Sequence, residues 1–158
     1  MEKAVLFLIF NRPDTTAEAF ERIRAAEQLR REFGQAVGRG VAVAPGVGDY
    51  RTGADTLVLA LPEQRYIVLG LEPESKRCFR MDLLASGDGF EARRFTSFSL
   101  PLAALRFEYD VGEPGGARLV TLYGEVAGDG VEQPARPWTV HCTAALRGID
   151  GGGVENAR

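Results

Sequence analysis

The chain offers few side chains that could do covalent or acid–base chemistry. Its 158 residues include one histidine, His141, and two cysteines, Cys78 and Cys142. Any general-base or Cys–His scheme must therefore run through His141. Cys142 is its sequence neighbour, and successive side chains on a strand point to opposite faces. A nucleophilic pair with His141 is thus possible only for Cys78. One histidine with scattered carboxylates does not supply the clustered ligands of a metal site. Among Asp82, Asp88, Glu91, Glu108 and Asp110 the closest pairing of interest is Glu108 with Asp110, beside Arg106. Acid–base catalysis asks for two carboxylates in contrasting environments, and one solvated strand face gives neither. No catalytic residue, metal ligand or cofactor is nominated.

Anion binding is the next possibility. Gly46-Val47-Gly48-Asp49-Tyr50-Arg51 departs from the dinucleotide fingerprint at its third glycine, and no Gly-Lys-Ser/Thr closes a P-loop. The same stretch leads into strands, so it provides no helix N-terminus and reads as a connector. Lys76-Arg77, Arg80 and Arg93-Arg94 can gather positive charge across a hairpin, as a solvated face or as a seat for a phosphate or an acidic partner. With 19 basic against 22 acidic residues the net charge is −3, which argues against a nucleic-acid binder. No apolar run approaches the ~20 residues of a membrane span.

The elements that would carry these residues follow from hydrophobic periodicity. Ala4–Phe10 is a buried-strand candidate, ended by the turn signal Asn11-Arg12-Pro13. Thr15-Thr16-Ala17-Glu18 fits a capping box, and a helix is predicted from about Thr16 to Phe33. Phe20, Ile23, Ala26, Leu29 and Phe33 form its apolar stripe, and Gly34 its stop. The rest reads as β structure. Thr56–Leu61 and Arg65–Glu72 flank Pro62-Glu63-Gln64, while Cys78–Ala85 and Phe90–Ser99 flank Ser86-Gly87-Asp88-Gly89. Leu105, Phe107, Tyr109 and Val111 alternate with polar residues, as do Trp138, Val140, Cys142, Ala144 and Leu146. Such alternation predicts an antiparallel sheet covered on one side.

The predicted architecture is α+β: one long N-terminal amphipathic helix packed on a curved antiparallel sheet of six or seven strands. Residues 1–147 form one domain, and residues 148–158 read as a disordered glycine-rich tail. The two cysteines lack any disulfide framework, and the apolar start suits a strand better than a secretion signal. A cytoplasmic location is expected.

Two stretches carry family resemblances. Val5-Leu6-Phe7-Leu8-Ile9-Phe10-Asn11-Arg12-Pro13-Asp14-Thr15-Thr16, with Phe20-Glu21-Arg22-Ile23-Arg24, resembles the N-terminus of bacterial nucleotide-sugar glycosyltransferases. That likeness, over residues 4–24, implies a nucleotide site at Asn11, Arg12 and Asp14. No Asp-x-Asp motif and no second strand–helix unit follow it. Residues 101–147 resemble the first hotdog of polyketide synthase dehydratase domains, through Val111-Gly112-Glu113-Pro114-Gly115-Gly116 and Pro137-Trp138-Thr139-Val140-His141-Cys142. This second resemblance implies a hotdog-like fold and a homodimer. Because His141 matches a structural position and no histidine precedes it, the resemblance argues against the dehydratase reaction.

The resulting expectation is a non-catalytic domain that binds an acyl-type or other apolar ligand, or that uses its sheet as a partner surface. Phe20, Ile23, Phe107 and Trp138 are the pocket candidates. The alternatives are a nucleotide-sugar transferase remnant and an assembly protein that works through exposed edge strands.

Overall fold

The computed structural model describes residues 13–126 and 138–148. Helix α1 spans Pro13–Arg39. It buries Ala25, Ala26, Leu29, Phe33, Ala36 and Val37, spaced three and four apart on one stripe. The helix runs through Gly34 instead of stopping there. Beyond that glycine, Ala36 and Val37 are fully buried, and their burial offsets the helix-breaking tendency of one residue. The stripe also begins later than predicted, leaving Phe20 44% and Ile23 49% exposed on the first turns.

Seven strands form the main sheet, in the order β1 (Ala42–Val43), β4 (Thr56–Leu61), β5 (Arg65–Leu71), β6 (Arg77–Ser86), β7 (Gly89–Tyr109), β8 (Leu119–Val126) and β9 (Trp138–Ala145). Every pairing is antiparallel, and from β4 onward each strand lies beside its successor. The fold is therefore α+β, with one long helix against a curved antiparallel sheet, hotdog-like in architecture. A separate two-stranded ribbon, β2 (Gly46–Val47) with β3 (Tyr50–Arg51), stands apart from the sheet.

The sequence reading sets the strand Phe90–Ser99 apart from the alternating run Leu105–Val111, yet β7 is continuous over 21 residues. Gly89–Pro101 pairs with β6 and Leu102–Tyr109 pairs with β8. Pro101 sits where the ladder changes partner, a position at which its missing N–H costs little. The sheet then curls back on itself. The Phe107 N–H donates to the Ala54 carbonyl at 2.7 Å, and the Arg147 N–H to the Gly40 carbonyl at 2.8 Å.

Inside this curl lies the main core. Leu29 and Phe33 of the helix meet Leu57, Leu59, Ile67, Leu69, Phe98, Leu100 and Leu102, with the Phe33 and Phe107 rings stacked at 6.2 Å. A smaller core covers the convex face, where Ala44 and Val47 cover Val58, Val68, Phe79 and Leu83. The helix is tied to the sheet by one buried charge. Arg80, 3% exposed, donates to Asp82 at 2.8 and 3.2 Å and to Glu32 of the helix at 3.3 Å.

Gly34 gives a direct check on the helix. A Cβ there would meet nothing within 4 Å. Gly34→Ala should raise the unfolding free energy by about 0.5–1 kcal/mol in urea titrations. A destabilised variant would place the helix stop back at Gly34.

Candidate functional site

The structure separates the groups that nucleophilic chemistry would need. Cys78 is fully buried in the main core, and burial pushes its thiol up to about 12. It is therefore not the thiolate that nucleophilic attack requires. Half-burial raises the Cys142 thiol as well. His141 lies on the exposed face of β9, its ring 4.6 Å from that of Tyr123. Arg106 covers the same Tyr123 ring at 4.4 Å and pairs with Glu108 at 2.8 Å. Among the described residues, no group of three or more His, Cys, Asp or Glu could hold a metal ion.

Glu108 and Asp110 likewise part company. While Glu108 pairs with Arg106, Asp110 closes the turn between β7 and β8. Its Oδ1 accepts the N–H groups of Arg118 and Leu119 at 2.9 and 3.3 Å. Those two bonds hold its carboxyl below the usual carboxylate range.

The four pocket candidates differ in burial. Phe107 is 3% exposed and packed on Phe33, whereas Phe20, Ile23 and Trp138 each remain about two-fifths or more exposed. The space between helix and sheet is occupied by Leu29, Phe33, Phe98 and Phe107. Of the nucleotide-site candidates, Asn11 and Arg12 lie outside the described residues, and Asp14 falls in the first turn of α1.

What the sequence did not single out is the first half of β7. All of Gly89–Phe95 is exposed. Along Gly89–Leu100 the backbone is paired with β6 on one side, and among the described residues nothing pairs with its other side. Alternate N–H and C=O groups there point away from β6, toward an open edge.

A bulge shapes this edge. The register shifts between Asp82 and Leu83, so that Asp82 faces Arg94 while Leu83 faces Ala92, and Arg93 is the extra residue. Phe90 and Phe95 are five apart and would fall on opposite faces of a regular strand. The inserted residue returns both to the convex face. There Phe95 stacks on Phe79 at 5.7 Å, Phe79 meets Tyr50 at 6.2 Å, and Phe90 stands edge-on to Tyr66 at 5.8 Å. Phe90 is 44% and Phe95 54% exposed, so the smaller core ends in an uncovered aromatic row. The basic cluster read from the sequence is divided. Arg80 is consumed in its buried ion pairs, while Arg93 and Arg94 stand exposed at the bulge.

Comparison with known proteins adds no family: no family model, no curated protein and no solved structure matches this chain. Among the described residues, no helix is long and apolar enough to cross a membrane.

The turn carboxylate gives a pH signature. A carboxylate whose folded-state pKa is depressed contributes stability that is complete above its unfolded pKa and lost as pH falls through the folded one. Asp110→Asn keeps the acceptor and removes the charge. Its melting temperature should lie below the wild type near neutral pH, and the gap should close as pH drops through and below the ordinary carboxylate range. A gap unchanged by acid would mean that the charge of Asp110 does not brace the turn.

Proposed function

We propose that this chain is a non-catalytic interaction domain that receives an extended segment of a partner protein along the open edge of β7. The observation that carries this reading is the exposed stretch Gly89–Phe95, whose outer edge pairs with nothing among the described residues and which carries Phe90 and Phe95. An added strand would take its main-chain hydrogen bonds from that edge. Its specificity would come from alternate side chains resting on Phe90 and Phe95.

Charge narrows the partner. Arg93 and Arg94 stand adjacent on the edge, so two copies of β7 meeting there would oppose arginine to arginine. The complementary partner is an apolar, alternating segment with acidic flanks. The homo-oligomer implied by the hotdog resemblance would use another edge, that of β9, which among the described residues also pairs on one side only.

The packing of Leu29, Phe33, Phe98 and Phe107 between helix and sheet favours a surface over an internal ligand site. An acyl chain between helix and sheet would have to displace side chains such as Phe33 and Phe107. Vacating core positions of that size costs about 3–5 kcal/mol each. For the nucleotide-sugar transferase alternative, every strand pair among the described residues is antiparallel, whereas its nucleotide site calls for a parallel strand–helix–strand unit; the strand expected at Ala4–Phe10 lies outside those residues.

A fluorescent peptide alternating valine with threonine, flanked by glutamates, provides the probe, read by anisotropy. Binding should be saturable, and Phe95→Ser should weaken it by at least about tenfold, as expected for an aromatic anchor. A proline at the peptide's centre should abolish it, since proline cannot donate to the ladder. Absence of binding, or binding indifferent to Phe95→Ser and to the proline, would overturn the reading.

A further inference from the structure

Beside the β4–β5 turn lies a partly open recess of about 210 Å³, lined in part by Tyr66 and Leu83. Three arginines from three separate elements line it: Arg39 from the end of α1, Arg65 from the start of β5, and Arg93 from the β7 bulge. Its apolar lining includes Leu61, Ile67 and Leu84. Placing three arginines from distant parts of the chain around one recess gathers positive charge there, which anions would offset.

The anions already present leave most of that charge unanswered. Asp82 also lines the recess, but both of its oxygens are engaged by the buried Arg80. Glu63 approaches Arg65 at 3.8 Å and Glu91 approaches Arg93 at 3.6 Å, and both acids lie largely in solvent. Exposed pairs of that kind contribute little, so a better acceptor displaces them readily. Among the described residues Arg39 makes no ion pair. The helix C-terminus carries partial negative charge nearby, yet one of its carbonyls, that of Val37, is occupied by the Gly40 N–H at 3.0 Å.

We infer that this recess binds the phosphoryl group of a small phosphorylated molecule. Three planar forks suit an acceptor with three oxygens better than a carboxylate, which one fork satisfies. The lining as a whole, three guanidiniums against one carboxylate, balances a dianion. The volume sets the size class. It lies below the roughly 300–1,000 Å³ of sites that enclose a whole ligand, so the recess holds the charged head while the remainder projects outward. Arg93 is shared with the proposed strand-binding edge, whereas Phe95 belongs to that edge and does not line the recess.

Isothermal titration calorimetry of the full chain at low ionic strength tests it, with inorganic phosphate, pyrophosphate and acetate as separate probes. Phosphate and pyrophosphate should bind saturably, and acetate should bind at least about tenfold more weakly or not at all. Arg65→Gln and Arg93→Gln should each weaken phosphate binding by about tenfold or more. Arg106→Gln, which removes an arginine held by Glu108 on the far half of β7, should leave it unchanged. Arg93 projects from an exposed bulge, so its variant reports on binding even if Arg65→Gln disturbs the β4–β5 turn through the bond to the Pro62 carbonyl. No saturable heat, equal losses in Arg106→Gln, or acetate binding as tight as phosphate would each overturn the inference. Phe95→Ser should not alter phosphate binding, which separates failure at this site from failure at the edge.

Discussion

The structure depends on a single strand that serves two ladders. β7 leaves β6 at Pro101 and joins β8 at Leu102, with a second register shift near Ala104. A strand that changes partners midway forces the sheet to turn, because its two halves belong to differently oriented layers. That turn makes the concavity into which Leu29 and Phe33 fit, and it brings Phe107 within hydrogen-bonding distance of the Ala54 carbonyl. The same change of partner leaves the first half of β7 with one neighbour among the described residues. The enclosed core and the open edge are thus two results of one geometric fact.

The division of faces follows from it. On the far half of β7, and on β8 and β9, the convex side is polar. Arg106, Glu108, Tyr123, His141 and the hydrogen-bonded Thr121 and Thr143 occupy it. Such a face is at home in water. On the near half the convex side is aromatic, and the small β2–β3 ribbon covers only the part around Val58, Val68 and Phe79. Phe90 and Phe95 extend beyond that cover. The bulge at Arg93 holds both phenylalanines on one side and turns the arginines of the insertion away from them.

Much of this architecture was legible in the residues. Period-two alternation from Leu105 to Tyr109 and from Trp138 to Leu146 located two strands, and the Asp-Gly turn located the hairpin of β6 and β7. The helix was legible from its stripe, but its ends were not. Gly34 carries a stop signal that the burial of Ala36 and Val37 overrides, a tertiary effect that local propensity does not contain. The continuity of β7 was not legible because Leu100–Ala104 does not continue the strict alternation that begins at Leu105. The open edge was illegible because it is a property of pairing. Nothing in Phe90–Phe95 states which side of the strand lacks a neighbour. The recess was only half visible: Arg93 belonged to a recognised basic cluster, while Arg39 and Arg65 reach it from positions far apart in sequence.

Residue-resolved amide hydrogen exchange along β7 tests the central claim most directly. If the first half of the strand is an open edge, alternate amides over Gly89–Leu100 exchange at rates close to those of exposed backbone while their neighbours are protected. Over Leu102–Tyr109 the amides paired with β8 should be protected, as should those of Leu102 and Phe107, which donate to Lys76 and Ala54 on the other side. Uniform protection over Gly89–Leu100 would contradict the account, since it would mean that the edge is already paired.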